Sequence, residues 1–156
     1  MKKLLIKRAR VEDAVTILDL QKLAYLSEAD IYNNDSIPPL TQTLEELRAE
    51  FDHQIFLKAL IDGRLIGSVR AFQTRETCHI GRLVVHPDFQ NRGIGTRLMN
   101  EIEAIFEKAK RFKLFTGDNS ERNLYLYRKL GYREFRRQKF EENLVLVFLQ
   151  KDRKLT

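Results

Sequence analysis

The stretch His79-Ile80-Gly81-Arg82-Leu83-Val84-Val85-His86-Pro87-Asp88-Phe89-Gln90-Asn91-Arg92-Gly93-Ile94-Gly95-Thr96-Arg97-Leu98 organises the whole chain. Leu83, Val84 and Val85 are apolar at consecutive positions, which predicts a strand covered on both faces, as in the middle of an α/β sheet. His86-Pro87-Asp88 stops it, because proline donates nothing to a sheet ladder and pushes the preceding residue away from helix. A helix is predicted from Ile94, since Ile94, Leu98, Ile102, Ile105 and Phe106 recur at three- and four-residue steps. Gly93 and Gly95 therefore stand at a helix N-terminus, where unpaired N–H groups and about half a positive charge suit a phosphate. Gln90, Asn91 and Arg92 add donors just before them, and Arg92 adds a full charge. The chemistry implied is pyrophosphate binding, although a Gly-x-Gly pair also serves ordinary tight turns and close helix packing.

Spacing excludes two common phosphate motifs. A dinucleotide fingerprint needs a third small residue where this chain has Leu98, and a P-loop needs Gly-Lys-Ser or Gly-Lys-Thr, which occurs nowhere. Gln90-Asn91-Arg92-Gly93-Ile94-Gly95 instead resembles the Gln/Arg-x-x-Gly-x-Gly/Ala signature of the GNAT superfamily of acyl-CoA-dependent N-acyltransferases, with its preceding strand and Val-x-Pro turn. Leu126-Tyr127-Arg128-Lys129-Leu130-Gly131-Tyr132 is similar to a second segment of that family, in the right order and at about the right distance. The resemblance implies a mixed, mostly antiparallel twisted sheet flanked by helices, an α/β class, as one domain over residues 1–156.

Composition agrees with such a domain. The 156 residues are 43% hydrophobic, enough for a core without disulfides or metal. No apolar run is long enough to cross a bilayer, and Met1 to Ile6 returns to charge at Lys7-Arg8 too soon for a signal peptide, so a cytoplasmic protein without a membrane is expected. The single Cys78 reads as a packed strand residue in a reducing compartment. The net charge of +6, from 28 basic and 22 acidic residues, permits nucleic acid, a polyanionic cofactor or a solvated surface. Arg133, Arg136, Arg137 and Lys139 cluster among aromatics, but their alternation reads more simply as a charged edge strand, so nucleic acid is disfavoured.

Along the chain, Leu4-Leu5-Ile6 predicts a first strand. A helix follows from Arg10-Val11-Glu12-Asp13 to about Ser27, with Val15, Leu18, Leu23 and Leu26 as its apolar face. Glu28 to Leu40 reads as a loop by its turn formers, before Thr41 or Thr43 caps a short helix carrying Leu44 and Leu47. Ile55 to Ile61 and Leu65 to Phe72, joined by Asp62-Gly63-Arg64, read as a hairpin, and Glu76 to Val85 as the next strand. Phe112 to Thr116 is a strand, Glu121 to Leu130 a helix ended by Gly131, and Asn143 to Leu149 the final strand.

The family resemblance implies acetyl transfer from acetyl-CoA, as cosubstrate, to a primary amine by direct attack in a ternary complex, by a monomer or homodimer. It places the pyrophosphate on Gln90, Asn91, Arg92, Gly93, Ile94, Gly95 and Thr96. The pantetheine arm and thioester fall along Leu83, Val84 and Val85, where a backbone N–H polarises the carbonyl. Asn119 and Asn123 are cofactor candidates, because the family's usual asparagine is Ser120 here, which also fits a helix cap. Tyr25, Glu28 and Tyr32 fall in the region that lines the acceptor side, where Glu28, Asp30 and Asp35 also suit a cationic amine. A lysine-like amine is free at pH 7 only at a cost of roughly 4–5 kcal/mol, so a base helps. His79 stands where family members often carry one, and a strand histidine with an ordinary hydrogen bond is the competing role. Tyr127 is the expected acid to the leaving thiolate, with core packing as its alternative. No spacing of His, Cys and acids suggests a metal. A non-catalytic acyl-CoA-binding domain is the other functional class open to this sequence.

Overall fold

Seven strands form one sheet in the computed structural model, which describes residues 3–153. They are β1 (Leu4–Arg8), β2 (Ile55–Ile61), β3 (Arg64–Thr74), β4 (Thr77–Val85), β5 (Arg111–Gly117), β6 (Arg133–Glu141) and β7 (Leu144–Asp152), in the spatial order β1-β2-β3-β4-β5-β7-β6. Every neighbouring pair is antiparallel except β4 and β5, so the expected mixed, mostly antiparallel sheet is found. The β2–β3 hairpin turns at Asp62 and Gly63, both in the left-handed region that a tight two-residue turn requires.

Helices cover both faces. On one side α1 (Ala14–Tyr32) and α3 (Leu44–Glu50) enclose a core of Ala14, Ile17, Leu18, Leu47 and Phe56. On the other, α4 (Ile94–Ile105) buries Ile94, Leu98, Met99 and Ile102 against strand residues such as Leu57, Ala59 and Ile66, and α5 (Glu121–Lys129) adds Leu124 and Tyr127. Truncating any of the large α4 residues to alanine costs about 2–5 kcal/mol. Thr43 caps α3 reciprocally with Glu46, the second of the two caps open from sequence.

Three expectations change. Helix α1 does not stop near Ser27 but runs to Tyr32, ending where Asn33 takes the left-handed conformation. Of its expected apolar face only Leu18 is buried, together with Ala14, Ile17, Leu20, Gln21, Ala29 and Tyr32, whereas Val15, Leu23 and Leu26 are exposed. The expected loop also contains a short helix, α2 (Pro38–Thr41), opened by a proline whose missing N–H costs nothing in the first turn.

Candidate functional site

The site begins with a fault in the sheet. Strands β4 and β5 pair only from Thr77 to His79 against Arg111 to Lys113, and past Ile80 they part. Here β4 carries a bulge: Ser68 opposes Val84 and Arg70 opposes Gly81, so Val69 faces both Arg82 and Leu83. Arg82 takes φ +51°, a left-handed backbone that costs a non-glycine residue of order 1–3 kcal/mol. The register downstream sets which groups face the opening. His86 N–H donates to Ile66 O across β3 at 2.7 Å, so Val84 points the same way, and the N–H groups of Leu83 and Val85 point away from β3. Val85 O accepts from Gln90 Nε2 at 3.3 Å.

A groove of about 880 Å³ runs from this opening over the N-terminus of α4. Asn91 and Gly93 both have left-handed backbones (φ +63° and +79°), a turn that leads the chain into the first helical N–H groups. Gly95 serves closeness rather than conformation, since a Cβ there would meet Leu126 Cδ2 on α5 at 3.3 Å, a little tighter than an ordinary contact. The groove's walls include Leu83, Val85, Gln90, Gly95, Asn119 and Asn123. The exposed apolar residues of α1, Leu23, Leu26 and Ile31, also line it.

A second, smaller cavity of about 160 Å³ opens on the far side of the β4–β5 split, with Ile80 to Leu83 along one wall and Phe115 to Gly117 along the other. Tyr25, Glu28, Leu83 and Asn123 line both cavities, so the two meet at these residues. Glu28 is held there by a chain of hydrogen bonds. Asn119 N–H donates to Tyr32 Oη at 2.6 Å, Tyr32 Oη lies 3.3 Å from Ser120 Oγ, and Ser120 Oγ donates to Glu28 Oε2. With the Asn119 end fixed as donor, the other links run in one direction and end on the Glu28 carboxyl. Among the described residues Glu28 Oε1 has no protein partner. Burial raises the Glu28 carboxyl above its ordinary value, against the lowering effect of the Ser120 hydrogen bond. Burial likewise raises Tyr25, with the adjacent Arg82 opposing it, and raises Tyr32.

Tyr127 is buried on α5 and lines the small cavity, its ring 6.0 Å from that of Tyr132. Burial, followed by the neighbouring Tyr25 and Glu28, pushes its phenol well above the ordinary value, which keeps it protonated. Among the described residues nothing hydrogen-bonds its hydroxyl. Behind the bulge, buried Arg70 pairs with Glu50 at 3.0 and 3.2 Å and donates to Gln21 Oε1 and Gln42 Oε1. Burial lowers it to about 10, leaving it charged at neutral pH. Gln21 Nε2 also donates to Pro39 O, so this network ties the wall of the small cavity to the sheet.

The structure thus gathers Tyr25, Glu28, Tyr32, Leu83, Asn123 and Tyr127 in or around one small cavity. His79 is not with them. It sits before the split, stacked on Phe72 at 4.9 Å with Nε2 2.9 Å from Thr74 Oγ1, and lines neither cavity. Burial, then Lys113, lowers its pKa. Arg92 also lines neither cavity, its guanidinium lying 5.2 Å over the Phe89 ring. Ser120 does not cap α5 with its side chain; it is spent on Glu28 and Tyr32. Sequence reading missed Arg82 and its bulge, which leave no local signature. Among the described residues no group of His, Cys, Asp and Glu is placed to hold a metal, and no helix is long and apolar enough to cross a membrane.

Comparison with known proteins gives three findings. The Acetyltransferase (GNAT) family model matches residues 17–132. The UPF0157 protein YqkA of Bacillus subtilis is 31% identical over 130 residues, covering 83% of this chain and 37% of that protein. The chain spans well under half the length of the curated relatives it matches. In structure it resembles the PaiA N-acetyltransferase of Thermoplasma acidophilum in complex with coenzyme A (TM-score 0.83, 20% identity, 97% of this chain and 99% of that one). It also resembles YncA of Salmonella typhimurium, a protein described with its cofactor acetyl-CoA (TM-score 0.75, 21% identity, 96% and 93%).

Proposed function

This chain belongs to the acetyltransferase (GNAT) family, and from that premise we propose that it is an N-acetyltransferase, moving an acetyl group from acetyl-CoA to a primary amine by direct attack in a ternary complex. The observation that carries the reading is the junction of the two cavities at the β4–β5 split, which gives a long cofactor groove and a small acceptor cavity one shared point.

The residues present fit the cofactor. The turn from Gln90 to Thr96 offers backbone N–H groups at the start of a twelve-residue helix, and Gly95 keeps the groove floor clear of a side chain. Bound acetyl-CoA supplies an acetyl group already activated as a thioester. Leu83 and Val85 carry the N–H groups turned toward the opening, and one of them polarises the acyl carbonyl there. Asn119 and Asn123 flank the same groove. Glu28, rather than His79, takes a proton from the bound ammonium on its free Oε1 so that the nitrogen attacks as the free amine, because its burial moves the carboxyl toward the range in which it exchanges protons usefully. On transfer the new N–C bond would replace the C–S bond, the nitrogen would release its second proton to solvent, and Tyr127 Oη would give a proton to the departing sulfur and be reprotonated from solvent.

The test is release of free CoA thiol from acetyl-CoA across a panel of primary amines, with the acetylated amine identified by mass spectrometry. Thiol release that depends on an amine supports the reading. CoA binding with no amine-dependent release would leave a non-catalytic acyl-CoA-binding domain instead.

A further inference from the structure

Arg82 has no role in the transfer described above, yet the fold spends a left-handed backbone at φ +51° to place it on the bulge. It lines the small cavity, where among the described residues it is the only basic one and Glu28 the only acidic one. Tyr25 stands between the two charges, since both Arg82 and Glu28 act on its hydroxyl. Among the described residues Arg82 has no carboxylate partner: the nearby Arg70 is a like charge, and Glu50 is already taken by Arg70. The rest of the cavity is largely apolar, with Ile37, Pro39, Phe140, Leu144 and Leu146 among its walls.

We propose that the acceptor is an α-amino acid with an apolar side chain, its amine directed to Glu28 and its carboxylate held by Arg82. This rests on the acyl-transfer reading above. One acid and one base in an apolar cavity match a zwitterion with an apolar body. A guanidinium hydrogen-bonded to the Tyr25 hydroxyl but, among the described residues, to no carboxylate offers the acceptor's carboxylate a charge-assisted seat and gains a counter-charge against Arg70. A polyamine brings a second cation to a cavity with no second carboxylate, and a polypeptide N-terminus brings an amide where Arg82 waits for an anion.

The experiment compares L-phenylalanine, L-phenylalaninamide and phenethylamine as acceptors. The parent protein should favour the acid over the amide in kcat/KM by about 30-fold, the size expected of a charge-assisted pair. The neighbouring carboxylate makes the acid's amine the more basic, hence less free at neutral pH, so intrinsic reactivity works against this preference. Arg82→Gln should raise KM for the acid more than it lowers kcat and bring the acid-to-amide ratio to about one. Arg82→Asn, a residue that tolerates the left-handed backbone, should do the same if the glutamine variant folds poorly. Equal use of acid and amide by the parent, or a preference surviving both substitutions, overturns the proposal while leaving acyl transfer intact. If no amine is acetylated, the acyl-transfer reading falls, and calorimetry on the CoA-loaded protein decides this one: L-phenylalanine binding no tighter than its amide overturns it.

Discussion

Gly117→Ala tests how closely the wall of the small cavity is built. A Cβ at 117 would lie 2.1 Å from Tyr32 Oη, 2.6 Å from Cζ and 2.9 Å from Cε2. Ordinary carbon contacts sit at about 3.5–4.0 Å, so the buried ring must retreat by roughly 1.5 Å. That movement stretches the 2.6 Å bond from Asn119 N–H and the 3.3 Å link to Ser120 past hydrogen-bonding range. Overpacking of this kind costs about 1–3 kcal/mol and the lost hydrogen bonding about 1 kcal/mol more, so the variant should lose about 2–4 kcal/mol. At roughly 2–4 °C per kcal/mol for a chain of this size, Tm should fall by about 4–16 °C. Calorimetry gives the value, and a Tyr32→Phe background gives the cause. With the nearest atom removed, Gly117→Ala should cost about 1 kcal/mol less than in the parent, because the two sites are in contact and their effects do not add. A variant melting within a degree of the parent refutes the packing, and strict additivity refutes the role given to the hydroxyl.

Three further outcomes follow from the same geometry. Gly95→Asp puts a side chain toward Leu126 and a negative charge at the start of α4, and should weaken CoA binding by about 100-fold or more with the fold retained; unchanged affinity by calorimetry removes this turn from the site. Glu28 has a folded pKa raised by burial above its ordinary 4.5, so its contribution to stability is fully present below the unfolded pKa and is lost as pH rises through the folded one. Glu28→Gln should therefore gain stability relative to the parent between pH 4 and pH 7, read from urea midpoints, and a difference that does not move with pH contradicts the burial argument. His79→Gln, outside both cavities, should change kcat by less than about twofold at every pH, since surface-adjacent changes away from a site have small effects; a loss concentrated near neutral pH would return the base to His79.

The turn from His86 to Gly95 was legible because its signals are local: a proline to end the strand, two glycines, then a periodic helix. The C-terminal half of α1 was not. Its apolar residues Leu23, Leu26 and Ile31 face the groove instead of the core, and Glu28 faces the cavity, so the periodicity that marks a buried stripe is scrambled where the helix lines the site. The N-terminal half failed more simply, because Ile17 and Gln21 make the buried stripe and a glutamine gives no hydrophobic signal. The parting of β4 from β5 and the bulge at Arg82 depend on strands far apart in sequence, and an arginine is an unusual residue for φ +51°. The site is therefore clearest in sequence at the turn proposed to hold phosphate and least clear around the cavity proposed to take the amine.

Tyr127 carries the remaining prediction. Its place in Leu126-Tyr127-Arg128-Lys129-Leu130-Gly131 suggests the acid, and its burial on α5 suggests packing. The structure contains a reason for each. The ring belongs to the core cluster that includes Leu124 and Tyr132, while the hydroxyl has no protein partner among the described residues and the residue lines the small cavity. Tyr127→Phe separates the two, since it keeps the ring and leaves no protein group unpaired; stability should stay within about 0.5 kcal/mol of the parent. The raised phenol pKa keeps the group protonated near neutral pH, which suits the proposed acid and not a base. The size of its help is limited, because a thiol with an ordinary pKa of about 8.5 already leaves readily as an anion. Turnover should fall by about 10- to 100-fold, with CoA affinity unchanged, in single-turnover measurements that isolate the chemical step. Acetyl transfer as fast as in the parent would show that the departing sulfur takes its proton from water, and would leave Tyr127 as a core residue whose hydroxyl happens to face the cavity.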